Sequence, residues 1–401
     1  MKVVQINVVY RHSSTGRTTM EMHQDLLLKG IESYVFTSMN PEKEHNVYPI
    51  GGVFDHKLHA LCSRIFGLQG YFSHIPTMKL VRQLKNIHPD VVILRNLHSN
   101  YINLPMLFRY LAKEQVNVMI VLHDCWFFTG KCTHFTARKC DKWKTVCHHC
   151  PALKADLGSW FFDFSRRMFN DRMKWYKALK SLTIVAVSDW EKNLAAQSPL
   201  FSNATITRIY NWIDTDTFKP ATDEQIQDVS EKYGLSKEKK HVITVSSGWS
   251  PVASRTKDAL AFAQLLPNNY DMIVVGGGEG VTFPDNVITI PYTSNPSELA
   301  ALYTLSTAYL HFSVEDTFGK VIAEAMACGT VPIVFDSTAC GETASPYGIA
   351  VQPHDVKAMI EALPKTEEEE RKSKVAEFAA NNYLRETNIS DYITNFEHIL
   401  N

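Results

Sequence analysis

EDTFGKVIAEAMACGTVPIVF, residues 315–335, decides the fold. A polar loop leads to a helix over Lys320–Cys328, Gly329 stops it, and the apolar strand Val331–Phe335 follows. Backbone N–H groups at such a helix start favour an anion, and Gly319 lets one come close. Asp316 and Glu324 stand eight residues apart across that helix start, so they can touch two parts of one bound ligand. The plainer reading of the same residues is a buried strand–helix unit with an Asp–Glu pair on its surface.

Working outward, the same alternation recurs. Strands are expected at His241–Ser246, Met272–Val275, Val287–Ile290 and Tyr309–Phe312, with a helix at Lys257–Leu266. Upstream lie strands Lys2–Val9, Tyr34–Thr37, Val91–Arg95, Val118–Leu122, Thr183–Val187 and Thr205–Ile209. Helices Met78–Ile87, Leu104–Lys113 and Arg166–Leu179 fall between them. SSTGR (13–17) reads as a turn, and Thr18 with Glu21 as a capping box for a helix that Gly30 ends. Strand–helix alternation means parallel α/β with helices on both faces. Two successive Rossmann-like domains are the simplest account, 1–215 and 216–384, joined near NWIDTDTFKP (211–220). A last helix, about 385–401, can pack on either, and TEEEERK (366–372) reads as a solvated helix face.

Bulk composition narrows the function classes. The chain has 401 residues, 45% hydrophobic and 21% charged, which excludes disorder as the default. A formal charge of −1 gives no global attraction to nucleic acid. The first apolar run is short and broken by Gln5 and Asn7, so it reads as neither signal peptide nor membrane span. A cytoplasmic location is expected, with the eight cysteines reduced.

Residues 315–335 resemble the signature of family 4 retaining glycosyltransferases of the GT-B fold: FG, EAMACGT and the strand after them all fit. The first acid departs from that pattern, being Asp316 where the family has Glu. SSTGR, LRNLHSNYINLP (94–105), HDCWFFTG with its cysteines, VSDW (187–190) and NWID…FKP extend the likeness over nearly the whole chain. Members of the capsule, exopolysaccharide and colanic-acid-cluster type are the most similar. The resemblance implies two domains facing across a cleft, with a nucleotide-sugar donor, a UDP-sugar in most members, held mainly by the second. It implies a glycan or lipid-linked acceptor held mainly by the first, and front-face displacement without a metal or other cofactor.

The resemblance also assigns residues. His123, at the end of the strand VMIVLHD, would contact the donor sugar, as would Asp316. Glu324 would bind the ribose. Lys257 would bind the diphosphate, assisted by Arg255, since Trp249 stands near where the family has its arginine. Gly16 and Arg17 in the first strand-to-helix loop, Gly277 within GGGEG, and Phe318, Gly319, Lys320 and Val321 at the helix start complete the donor side. Gly341–Glu342 form a further loop near the donor.

Cys132, Cys140, Cys147 and Cys150 crowd an insertion at about 125–151. Only the last two have zinc-knuckle spacing, so a structural zinc and packed free thiols both stay open, with His134, His148 and His149 as substitute ligands. Lys131–Lys180 holds 12 Lys/Arg against 4 Asp/Glu, interleaved with aromatics. That composition suits an anionic membrane surface, with residues 154–180 docking on the inner leaflet, or else a packed helix with a solvated basic face. Asp214-Thr215-Asp216 mimics a metal-diphosphate motif but lies in the expected linker. Two rival readings are a GT-B nucleotide-sugar epimerase and a zinc-stabilised nucleic-acid or interaction module around 131–180.

Overall fold

The computed structural model describes residues 1–39, 44–278, 280–293 and 295–400, with Met39 as backbone only. The chain divides into two compact units, Met1–Ile209 with Ile389–Asn401, and Tyr210–Asn388.

The first unit runs β1 (Lys2–Val9), α1 (Ser13–Leu28), β2 (Glu32–Met39), β3 (Val47–Pro49), α2 (Val53–Phe66), α3 (His74–Ile87), β4 (Val91–Leu94), α4 (Leu104–Lys113), β5 (Asn117–Val121), α5 (Ser165–Lys177), β6 (Ser181–Ala186), α6 (Asp189–Ala195) and β7 (Thr205–Arg208). All seven strands are parallel, in the order β3-β2-β1-β4-β5-β6-β7. Such strands are buried on both faces, and β4 and β5 are accordingly continuous apolar runs without alternation. The two polar residues in β1 have partners instead. Gln5 Nε2 donates to the Thr19 carbonyl and Asn7 Nδ2 to Thr19 Oγ1 at 2.9 Å, which ties α1 to the sheet.

The expected turn and capping box at the start of α1 are corrected. The helix begins at Ser13, so SSTGR forms its first turn and Thr18 and Glu21 are buried inside it. Thr18 Oγ1 donates to the Thr15 carbonyl, a bond a helix interior satisfies.

The second unit runs α7 (Asp223–Tyr233), β8 (Lys240–Val245), α8 (Ser254–Leu265), β9 (Tyr270–Val275), β10 (Val287–Ile290), α9 (Pro296–Leu305), β11 (Ala308–His311), α10 (Lys320–Ala327), β12 (Val331–Phe335), α11 (Cys340–Ala344), β13 (Ile349–Val351), α12 (Val356–Ala362) and α13 (Glu369–Asn382). Its sheet is parallel, in the order β10-β9-β8-β11-β12-β13. α14 (Arg385–Leu400) starts here and belongs to the first unit from Ile389 onward. The supposed surface stretch 366–372 is partly anchored: Thr366 is buried, and Glu367 accepts from Lys240 Nζ at 2.5 Å.

Strand order reverses once in each sheet, between β1 and β4 and between β8 and β11. In open α/β sheets the carboxyl ends at that reversal are where ligands bind.

Candidate functional site

In the second unit, the reversal point collects most of the residues picked out from the sequence. The end of β8 leads into Ser246–Gly248 and then α8, which carries Arg255 and Lys257 in its first turn. Arg255 Nη1 donates to Ser246 Oγ at 2.9 Å, folding the guanidinium back over the loop. Trp249 does not replace a cation. It is buried, and its Nε1–H donates to the Val275 carbonyl at 3.0 Å, pinning the β8–α8 loop to the end of β9.

Gly276, Gly277 and Gly278 all have positive φ. A Cβ on Gly276 would lie 1.9 Å from the Ser246 carbonyl oxygen, so that glycine is required by the approach of two loops. Gly277 has open space around its missing side chain, which is where a ligand could come close.

Across the reversal, β11 ends in His311, and His311 Nε2 lies 2.9 Å from Asp316 Oδ2. Burial opposes charge on His311, yet Tyr309, Cys340 and Asp316 together raise its pKa well above the usual value. Asp316 shifts the opposite way: burial is outweighed by His311 and, further off, Arg255, so its carboxyl is held below the usual range. The two form an ion pair, and Asp316 keeps 34% of its side chain exposed. His311, Asp316 and Cys340 are also the one group of three candidate ligand atoms within 4.8 Å of one another among the described residues.

Gly319 is the left-handed cap residue of α10, at φ 75°, and no side chain caps that helix start. Lys320 and Val321 are half-buried there, and Glu324 sits one turn on at 7% exposure. The Phe318 ring is buried against Tyr210 and Tyr383, and its carbonyl accepts from Thr343 Oγ1. Glu342 accepts from Tyr210 Oη at 3.1 Å. Asp214 is occupied as a turn cap: Oδ1 accepts from the Asp216 and Thr217 N–H groups and Oδ2 from Thr217 Oγ1 at 2.8 Å.

In the first unit, Gly16 packs against the Tyr10–Arg11 backbone, where a Cβ would stand 3.3 Å from it, and Arg17 is half-buried beside it. His123 follows β5. Arg95, fully buried at the end of β4, donates from Nη1 to His123 Nε2 at 2.9 Å and from Nε to Gln5 Oε1. Arginine has no lone pair to offer, so His123 Nε2 is the acceptor and the ring is the neutral Nδ1–H tautomer. Burial, with Arg95 beside it, pushes the His123 pKa down to about 3. Next to it His98 Nε2 meets Asp124 Oδ2 at 2.8 Å. Burial works against both charges, but each partner prevails, raising His98 and lowering Asp124.

Arg95, His98, Asp124 and His311 had no expected role in chemistry. Their signal was position: Arg95 and His98 follow β4 and His311 ends β11, strands that flank the reversals, and Asp124 follows β5, the neighbour of β4.

The chain matches two family models, "Glycosyltransferase Family 4" over residues 15–217 and "Glycosyl transferases group 1" over residues 228–385. Its fold is that of a glycosyltransferase from Rickettsia africae, with TM-score 0.69, 14% identity, and 100% and 98% of the two chains covered. A sucrose-phosphate synthase from Thermosynechococcus elongatus matches with TM-score 0.70 and 14% identity, over 100% and 99%. Anabaena HepE in complex with UDP matches with TM-score 0.67 and 13% identity, over 99% and 100%. No curated protein matches the chain in sequence.

Proposed function

The chain belongs to glycosyltransferase family 4, and we propose that it moves a sugar, with retention of configuration, from a nucleotide-sugar to a glycan or lipid-linked acceptor in surface-polysaccharide assembly. The observation that carries this reading is the reversal point of the second sheet. There Arg255, in the first turn of α8, bonds to Ser246 and interacts with Asp316 before α10, Lys257 is exposed in the same turn, and neither cation forms an ion pair of 4 Å or less with a described residue. Two cations in the first turn of a helix that follows a strand end at the reversal suit a diphosphate. A UDP-sugar is the favoured donor, because the similarly folded HepE has been crystallised with UDP and with UDP-glucose.

In the proposed reaction the acceptor oxygen bonds to the anomeric carbon on the face from which the diphosphate departs. The carbon–phosphate oxygen bond breaks with its electron pair, and the acceptor proton passes to a phosphate oxygen. Lys257 and Arg255 stabilise the charge that grows on the leaving group. Asp316, held by His311, accepts from a sugar hydroxyl. Glu324 takes the ribose. No catalytic metal is proposed, since Asp214 is committed to its turn and the cations do the same electrostatic work.

A thermal-shift series with UDP, GDP, dTDP and ADP tests the site. One nucleotide should stabilise wild type and not Glu324→Ala, by about 2.7 kcal/mol at 100 times its dissociation constant. No shift from any of them at millimolar concentration would remove the donor-site reading.

We also propose that the first unit rests on an anionic membrane. No helix among the described residues is long and apolar enough to cross one. Segment 154–180 is only half the surface expected: Phe169 and Tyr176 are buried, and Trp175 stacks on Phe108 at 5.4 Å. What remains exposed is Trp160, Phe161 and Phe162, and the Trp160 N–H donates to the Arg64 carbonyl of α2 at 2.7 Å. That helix turns Val53, Phe54, Leu58, Leu61 and Phe66 outward, with Phe54 76% exposed, and carries exposed Lys57 and Arg64. An apolar face edged with cations suits a headgroup layer. Co-sedimentation with phosphatidylglycerol vesicles should fail for Phe54→Glu/Phe161→Glu. Absence of wild-type binding at low salt would dismiss the docking.

A further inference from the structure

The cysteine-rich insertion has almost no regular structure. Between β5 and α5 the chain makes only three short 3₁₀ turns, at Cys125–Phe128, Thr136–Arg138 and Lys142–Lys144. A stretch this long without helix or strand needs another source of order. Aromatic packing supplies part of it, through Phe128, Phe135 and Trp143, whose rings lie 4.8–6.2 Å apart. The rest of the centre is sulfur. Cys132, Cys140, Cys147 and Cys150 line one cavity of about 20 Å³, together with Lys131, His134 and His148. No two are bonded to each other.

Three observations say what that cavity is built for. First, Cys147 Sγ accepts a hydrogen bond from the Gly130 N–H at 3.2 Å, an arrangement that stabilises a thiolate. Second, Gly130 is a required glycine: a Cβ there would lie 2.6 Å from Cys147 Cβ and 2.6 Å from the Ser165 carbonyl, so a side chain would push Cys147 out. Third, two fully buried cations attend the sulfurs. Lys131, 2% exposed, lines the cavity and donates from Nζ to the carbonyls of Leu153, at 3.1 Å, and Asp156. Arg172, 1% exposed, donates from Nη1 to the carbonyls of Trp126 and Thr129, lies 3.8 Å over the Trp126 ring, and interacts electrostatically with Cys132 and Cys147.

Neutral thiols would leave those two charges poorly balanced. The carboxylates that act on Lys131 are half-buried Asp156 and exposed Asp163, and they accept from backbone N–H groups of Thr133 and of Cys150 and Ser165. Buried charges persist only where something compensates them. A divalent ion with four thiolates carries a net charge of −2, which Lys131 and Arg172 together cancel.

We propose that Cys132, Cys140, Cys147 and Cys150 bind one structural zinc ion, neutralised by Lys131 and Arg172, and that this zinc holds the insertion against the sheet edge bearing His123 and Asp124. The sulfurs surround the cavity more widely than ligands of one ion do. No three of them lie within 4.8 Å of one another, whereas tetrahedral zinc at about 2.3 Å from each sulfur sets them about 3.8 Å apart. Binding therefore draws them inward. It also orders the chain next to the active-site edge, because the Cys125 N–H donates to the Thr133 carbonyl at 2.8 Å.

The test is metal analysis of the full-length protein purified without added zinc, with thiol counting under native conditions. One zinc per chain is expected, with those four cysteines protected from a thiol reagent and released together with the metal by an organomercurial. Cobalt exchanged into the site should give a thiolate charge-transfer band and tetrahedral visible bands. Cys147→Ser/Cys150→Ser should lose the zinc. Should that variant fail to fold, Lys131→Met provides the second measure: it should lose zinc to a chelator with affinity weakened about 10- to 100-fold. Overturning results are a wild-type protein free of zinc with four freely reactive thiols, or one holding two disulfides.

Discussion

The carboxyl edges of the two sheets each hold a His–Asp ion pair, but the second also carries cations with no ion pair among the described residues. In the first unit the charged groups are held by side-chain neighbours. Arg95 holds His123, and His98 holds Asp124, all at 2.8–2.9 Å and largely out of water. In the second unit His311 and Asp316 are likewise paired, but Lys257 is exposed, Arg255 donates to a serine hydroxyl, and Gly277 has open space around its missing side chain. A group already satisfied can orient a ligand but gains little by gripping it. A solvated cation can exchange water for phosphate. The difference teaches that one edge is prepaid for geometry and the other is kept vacant for charge.

Substitutions should separate the two edges. Asp124→Ala removes the acceptor of His98 Nε2 and of the Trp126 N–H, burial then holds His98 neutral, and the buried donors left without it cost about 1–3 kcal/mol. Urea unfolding should show that loss in the first unit. Lys257→Ala should do the reverse. Stability should stay within about 0.5 kcal/mol of wild type, as for other exposed positions, while kcat/KM falls about 10²–10³-fold, as when one electrostatic stabiliser is removed. If Lys257→Ala instead unfolds the protein at full specific activity, the contrast is wrong.

Within the second unit, two adjacent glycines sharpen it. Gly276→Ala would place a Cβ 1.9 Å from the Ser246 carbonyl at φ 112°, and should cost about 2–4 kcal/mol of stability. Gly277→Ala brings its Cβ within 4 Å of nothing among the described residues beyond its chain neighbours, and has its φ of 86° against it. About 1–2 kcal/mol of strain follows from that. Nucleotide affinity, read by calorimetry, should fall by more than the strain alone accounts for.

Much of this was legible beforehand. Lys2–Val9, Val287–Ile290 and Val331–Phe335 are strands with the expected bounds, because each is a short run rich in β-branched residues. The start of α1 was not, since Ser, Thr and Gly in SSTGR carry turn chemistry that the packing of Gly16 on Tyr10 overrides. α2 went unrecognised for a different reason: its apolar residues Val53, Phe54, Leu58 and Leu61 face out, so it does not show the buried stripe of a core helix. At the site, glycine and lysine positions follow local patterns and could be read. The pairs Arg95–His123 and His98–Asp124 join residues 28 and 26 apart, and only the adjacency of β4 and β5 brings them together.

The last contrast is one of pH. In the first unit His59 and His123 are both held neutral by burial, with pKa near 3 against an ordinary 6.5. In unfolded chain they take up protons as pH falls below 6.5, while in the fold they do not. Stability from these two is therefore present above pH 6.5 and lost progressively as pH drops toward 3. In the second unit His311 is raised by its neighbours, so its contribution is complete below 6.5 and is lost only as pH climbs through the raised value. Acid should thus weaken the first unit while leaving the His311–Asp316 pair intact until Asp316 itself protonates. Each depressed histidine contributes up to about 1.4 kcal/mol per pH unit, or about 2 kcal/mol between pH 6.5 and 5. His59→Gln tests this away from the site, because His59 is buried on α2 and bonded to Ser73 Oγ at 2.7 Å. Its denaturation midpoint should fall less steeply than that of wild type between pH 6.5 and 5. His311→Gln should leave that acid limb unchanged and flatten the alkaline one. If His59→Gln and wild type run parallel through the acid range, His59 is charged in the fold and the first unit is not built on neutralised histidines.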